Sequence, residues 1–316
     1  MKLISPIDQL DEAEALLQAG ADELYGGYVP ADWQRRFGLL ASINQRTFAG
    51  AQIDSFSALQ QIIRCCNAWG RQFALTLNAP YYSDQQLPLL LEYVAEAADA
   101  GVDSVILADL ALLRRLKEEF PQLLFHASTL AHLGNSAAIN FYQQQGVERV
   151  VLPRHLTIAE MKTITAAVDV DCDAFLLVGK CPNTEGFCSF HHADKGKIWP
   201  CEIAYEIEAV DAVSCELQSA IEKQQSWAQT DRRHGCGLCA IPHLRQAGIA
   251  GLKLVGRGAP KLRKIKNLQL VANFVQLSQQ LPFADYQQRA LAAHRRHFGI
   301  GCNENVCYYP ELSINT

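Results

Sequence analysis

Five cysteines gather in one stretch of the chain. Cys181 and Cys188 have six residues between them, Cys201 follows twelve residues further on behind Pro200, and "HGCGLC" adds Cys236 and Cys239. Thiolates that approach one centre from separate loop segments can surround it tetrahedrally without crowding their own backbone, which is the donor set a soft metal centre takes. Structural zinc draws on close pairs such as C-x2-C, and of these five only Cys236 and Cys239 form one. Iron–sulfur clusters accept dispersed ligands, so the spacing favours iron, with zinc as the alternative. His191 and His192 stand between the second and third cysteines, where a loop "HH" is solvated more often than it ligates. Cys65 and Cys66, on the amphipathic stretch "QQIIRCCNAWG", read with Cys172 and Cys215 as bystander thiols. Cys302 and Cys307, in "GCNENVC", form a thiol pair with no assigned role.

Such residues need a scaffold that brings loops together. Short apolar runs alternate with amphipathic segments along the chain: Leu3–Ser5, Glu23–Tyr25, Gln72–Asn78, Ser104–Ala108, Leu123–Ala127, Arg149–Pro153, Asp173–Val178 and Gly251–Gly256 read as strands. The recurring "AGAD", "AGVD", "QGVE" and "AGIA" each close a helix just before a strand. Eight strand-and-helix units predict an α/β fold, a (β/α)8 barrel of the TIM type. The barrel is expected over residues 1–280, with a long cysteine-bearing insertion between strands 7 and 8 at about 179–247, and a C-terminal helix and tail at 281–316.

In such a barrel the strand C-termini build the active site. Those ends supply Tyr25, Asn78, Asp109, His126, Ser128, Thr129, Arg154 and Arg257. His126, Arg154, Asn78 and Thr129 are the catalytic candidates. Tyr25, Asp109, Lys253 and Arg257 are candidates for binding substrate, the last two for an anionic group near strands 7 and 8.

Composition narrows the field. Charged residues make up 19% of the chain, hydrophobic ones 49%, and the formal net charge is -5. That balance weakens a nucleic-acid reading, although a local basic mouth could still attract an anion; the expected partner is a small-molecule substrate. The acidic opening "MKLISPIDQLDEAEALL" does not read as a secretory leader, and no apolar run approaches the roughly 20 residues of a membrane span, so the expected compartment is the cytoplasm. Eleven cysteines, an odd number, fit metal or redox chemistry there better than disulfides.

Longer stretches carry a family likeness. "AGADELYGG", "LTLNAPYYSDQQL", "VILADLALL", "FHASTLAHLGNSAAINFYQQQGVERVVLPRHLTIAEM", "DAFLLVGKCPNTEGFCSF", "PCEIAYEIE" and "CGLCAIPHLRQAGIAGLKLVGR" together resemble the collagenase-like peptidases of unclassified type, family U32. The resemblance implies a 4Fe-4S cluster on Cys181, Cys188, Cys201 and Cys236, with Cys239, one helical turn on, as the alternative fourth ligand. It also implies oxygen-independent hydroxylation. In size the chain is similar to the members that act on the ubiquinone ring as paired related subunits, whereas RNA-modifying members carry further sequence. Four positions depart from the family pattern: Leu177 and Val178 replace His-Gly, His155 replaces an acidic residue, and Val255 replaces the Glu of "KIEGR".

The expected function is therefore an iron–sulfur barrel that hydroxylates an aromatic or ring substrate without oxygen, as enzyme or as one of two paired barrels. A peptidase is the first alternative, although no G-x-S-x-G or H-E-x-x-H occurs. A non-catalytic metal-binding or electron-relay subunit is the second.

Overall fold

The structure, a computed structural model, describes residues 1–38, 42–46, 48–181, 185–187 and 206–312. Eight parallel strands close into a barrel in sequence order: β1 (Lys2–Pro6), β2 (Glu23–Gly26), β3 (Gln72–Leu77), β4 (Ser104–Leu107), β5 (Leu124–Ala127), β6 (Arg149–Val151), β7 (Asp171–Leu177) and β8 (Gly251–Leu254). The closing pair sets Lys2 against Gly251 and Ile4 against Lys253. Each expected strand is present. Every residue of β2 and of β4 is buried, because both faces of a parallel barrel wall are covered; β4 accordingly reads as a nearly continuous apolar run, "SVIL".

The helices are held at both ends by local chemistry. Beside α1 (Ala13–Gln18), α2 (Ala31–Phe37) and α4 (Leu87–Asp99), Ser55, Asp109, Asn135 and Thr157 cap α3 (Phe56–Ala68), α5 (Leu110–Glu119), α6 (Ser136–Gln144) and α7 (Ile158–Thr165), each side chain accepting a first-turn backbone N–H. At the other end the repeated glycines do one job. Gly20, Gly101, Gly146 and Gly248 all have positive φ, and each turn makes the same two bonds, the glycine N–H to the residue three back and the next N–H to the residue five back. This is a Schellman stop, which favours a residue without Cβ. In "AGAD" and "AGVD" the aspartate then reaches a neighbouring strand: Asp22 accepts from the N–H of Leu3, and Asp103 from that of Phe73.

The core lies between wall and helices, with Leu59, Ile62, Ile63, Leu112, Leu113 and Leu116 fully buried. Each such side chain contributes roughly 1.5–3 kcal/mol by leaving water. The lumen is different. Ile4, Tyr25, Ala74 and Ile106 form their own small cluster there, and Arg149 pairs with Glu23 at 2.5 Å while lying 3.9 Å from Asp173.

The long passage from β7 to β8 carries an exposed α8 (Cys215–Ala228), a 3-10 turn at Leu238–Ala240 and α9 (Ile241–Gln246). After β8 come α10 (Lys261–Gln280) and α11 (Phe283–Phe298). Tyr286 on α11 donates to the Leu238 carbonyl at 2.7 Å, fixing the C-terminal helix to the insertion. Residues 306–309 return to the barrel: the Cys236 N–H donates to Val306, the Tyr308 N–H to Cys236, and the Tyr308 and Tyr309 hydroxyls to the carbonyls of Val178 and Phe175. The segment expected as a tail is therefore part of the barrel mouth. Among the described residues no helix is long and apolar enough to cross a membrane.

Candidate functional site

At the ends of β5 and β6, a short piece of the insertion closes over the strands. Glu185 is buried there, and one of its carboxylate oxygens accepts from the Arg154 backbone N–H at 2.6 Å and from the Thr129 hydroxyl at 3.1 Å. The other oxygen is ion-paired with the Arg154 guanidinium. The central carbon of that guanidinium lies over the Phe175 ring, 3.6 Å from its centroid, and 5.8 Å from that of Tyr308. Stacking and pairing together fix a planar cation at the mouth. Gly186 makes the approach possible: a Cβ there would come 2.2 Å from the His132 ring, and Phe187 packs on that ring at 3.9 Å.

Two of the four catalytic candidates, Arg154 and Thr129, are thus joined through a carboxylate that the sequence reading did not single out. The signal was available in "NTEGF", an acid followed by glycine inside a cysteine-bearing loop. Tyr308 was also missed, because nothing local shows that residue 308 returns to β7. Asn78, just past β3, has a buried Oδ1 with no hydrogen-bond partner among the described residues, and the same holds for the Arg154 Nε. Buried polar atoms are rarely left so, and at a barrel mouth they mark where a polar ligand group fits.

His126 lies elsewhere. It is the third residue of β5, 3% exposed, inside the barrel wall rather than at its rim. Burial, then the positive charges of Arg149 and Lys253, holds its pKa well below the usual 6.5, so the ring is neutral. Lys253 also faces the lumen, 4.2 Å above the Tyr25 ring, and burial lowers its pKa. Burial raises the pKa of Asp173. The Tyr25 hydroxyl donates to the Leu254 carbonyl at 2.7 Å.

Two further candidates are engaged by the protein itself. Asp109 caps α5 through Leu112 and accepts from the Tyr82 N–H. Arg257 donates to the carbonyls of Ala51 and Asn44, to the Thr76 hydroxyl and to Gln52, tying the loop after β8 to the loop after β2. Ser128 accepts from the Leu130 N–H and so caps a turn instead of facing His126.

Of the expected cluster ligands, Cys188 and Cys201 lie outside the described residues, as do His191 and His192. Cys181 follows β7 and is half-buried. Cys236 is buried, bridged to Leu177 at the end of that strand, and its sulfur accepts the Leu238 N–H at 3.4 Å. Tyr308 connects these groups: its ring lies 5.8 Å from the Arg154 guanidinium, its N–H donates to the Cys236 carbonyl, and its hydroxyl donates to Val178, three residues before Cys181. Two of the four ligands therefore rise beside Arg154, and an N–H bonded to sulfur is a contact that suits a cluster thiolate. Burial raises the pKa of Cys236, the cost that a bound cation would offset.

The profile of Peptidase family U32 matches residues 8–298. The chain belongs to this family. Among curated members of similar sequence, a "tRNA hydroxylation protein P" of Escherichia coli is 28% identical over 189 residues, 59% of this chain and 38% of that protein. A "tRNA hydroxylation protein P1" of Bacillus subtilis is 22% identical over 281 residues, 87% of this chain and 61% of that protein. This U32 chain thus spans between 38 and 61% of the lengths of these two relatives. A solved structure described as a U32 peptidase covers 57% of the chain and is itself covered to 70%, at 15% identity and a TM-score of 0.44.

Proposed function

We propose that this U32 chain acts in oxygen-independent hydroxylation of an aromatic ring, with a 4Fe-4S cluster on Cys181, Cys188, Cys201 and Cys236. The observation that carries the reading is that Tyr308 ties Cys181, Cys236 and Arg154 together: its N–H donates to the Cys236 carbonyl, its hydroxyl to the carbonyl of Val178, three residues before Cys181, and its ring lies 5.8 Å from the Arg154 guanidinium. The curated relatives are named for tRNA hydroxylation, which favours a tRNA base over a quinone-precursor ring as the substrate. When bound, the cluster supplies one-electron chemistry at the mouth. The chain's own groups do the rest. Arg154, held over Phe175 and paired with Glu185, orients a planar polar ring edge or an adjoining anionic group. Asn78 Oδ1 accepts a ring N–H, and Thr129 and Glu185 keep the arginine in place. A paired barrel subunit remains part of the proposal.

The test has two parts. Anaerobic purification with iron and sulfide analysis should find about four of each per chain, lost in Cys181→Ala. Mass spectrometry of tRNA nucleosides and of quinone extracts from anaerobic cells, with and without the gene, should then show a hydroxylated nucleoside that disappears. Iron and sulfide absent from the wild type would remove the cluster, and a change confined to the quinones would transfer the substrate to the ubiquinone ring. Peptide release by the metal-free protein would restore the peptidase reading.

A further inference from the structure

Two cysteines that the cluster does not use meet beside the barrel mouth. Cys302 and Cys307 are both free, and their thiols are hydrogen-bonded to one another. Sequence distance alone would not bring them together, since five extended steps of chain span roughly 17 Å. Asn303 does it. Its carbonyl accepts the Cys307 N–H at 2.9 Å, and its side chain accepts the N–H groups of Asn305 at 3.0 Å and Val306 at 3.3 Å, closing residues 303–307 into a single helical turn.

The turn is also held from outside. The Asn305 amide donates to the hydroxyls of Ser226 in α8 and Thr230 just past it, both at 2.9 Å. The Lys180 ammonium donates to the carbonyls of Glu304 at 3.1 Å and Cys307 at 2.5 Å. Access to the two thiols differs: Cys302 is exposed and Cys307 half-buried, and both border the same groove of about 750 Å3. A reachable thiol with a second one directly behind it is the arrangement of an attacking and a resolving cysteine.

We propose that Cys302 and Cys307 form a redox-active dithiol that exchanges with disulfides, Cys302 attacking and Cys307 resolving. Cys302, as the thiolate, attacks one sulfur of the incoming disulfide; that S–S bond breaks, one thiol leaves with the proton that Cys302 gave up, and a mixed disulfide remains. Cys307 then loses its proton and attacks the Cys302 sulfur. The mixed bond breaks and the second thiol leaves with that proton. The chain has lost two electrons and two protons and gained one disulfide, and the reagent has become two thiols; a dithiol reductant runs the same steps backwards. The bond closes across the turn that contains Val306, whose carbonyl accepts the Cys236 N–H, so the redox state of the pair acts on the segment that completes the mouth. The pair shares no cysteine with the proposed cluster and stands whether or not the proposed hydroxylation does.

The experiment equilibrates full-length protein, purified anaerobically, with reduced and oxidised glutathione over a series of ratios, quenches with acid and an alkylating reagent, and maps the cysteines by mass spectrometry. The expected result is a Cys302–Cys307 disulfide whose occupancy rises with the oxidised fraction, a readout on the wild type that depends on no variant folding. Cys307→Ser should stop after the first step and carry one glutathione on Cys302, and Cys302→Ser should react at least about tenfold more slowly than the wild type. Repeating the kinetics with an oxidised C-x2-C dithiol protein identifies the source of the disulfide: faster exchange with glutathione disulfide assigns a small molecule, and faster exchange with the protein assigns a dithiol partner. Four results would each overturn the proposal: a disulfide from either cysteine to Cys239 or another thiol, a pair that stays reduced at every ratio, a pair that stays oxidised at every ratio as a structural disulfide does, or Cys302→Ser reacting as fast as the wild type.

Discussion

Glu185 holds Arg154 by backbone and side chain at once, so the two residues fail in different ways. Glu185→Ala leaves a largely buried guanidinium unpaired and should cost about 3 kcal/mol of stability, read by denaturant unfolding. Arg154→Lys keeps the charge but loses the planar fork and the stacking on Phe175, so the fold should persist while hydroxylated nucleoside falls at least about tenfold. His126 makes a prediction about pH. Its pKa lies well below 6.5 when folded, so it favours the folded state above the unfolded value and loses that contribution as pH falls from about 6.5 towards the folded one. Unfolding followed between pH 7.5 and 5 should show His126→Asn with a shallower loss than wild type, by at most about 1.4 kcal/mol per pH unit. An equal slope in both proteins would mean that His126 is not the group that titrates. The residues at strand ends were legible from sequence, but their partners were not. Whether a polar side chain faces a pocket or caps a helix, as Asp109 does, depends on loops that come from elsewhere in the chain.

The helix-to-strand turns show why the barrel was readable. "AGAD" and its variants carry the helix stop, the positive-φ glycine and, in two cases, the aspartate that holds the next strand, all within four residues. A feature whose causes are that local survives translation from sequence to structure. Gly20→Ala isolates one cause, since the added Cβ would meet only the Ala272 Cβ at 3.5 Å, an ordinary van der Waals contact. The cost should come from the backbone alone, about 1–2 kcal/mol, seen as a lower denaturation midpoint with an unchanged m-value. The opposite case is Tyr308. It reaches β7 across some 130 residues, and no periodicity encodes that contact.

For the whole molecule, a net charge of -5 argued against a nucleic-acid partner, but charge is distributed. Arg295 and Arg296 are both exposed at the end of α11 and line a groove of about 750 Å3 beside Cys302 and Asn303. If tRNA is the substrate, their double substitution by Gln should weaken binding and reduce the salt slope of log K by about 2, measured by titration across ionic strength. An unchanged slope would place the RNA elsewhere. The same return of the chain that completes the mouth has a further consequence, for the order of events in synthesis. Cys236 receives its backbone partners from Val306 and Tyr308, and Val306 lies 70 residues later. At about 5–20 residues per second, a ribosome needs roughly 4–14 s to deliver them. Until then the Cys236 segment has an open edge and accessible thiols, so any metal centre that includes this cysteine is loaded onto an unfinished mouth or waits for the last turn of the fold.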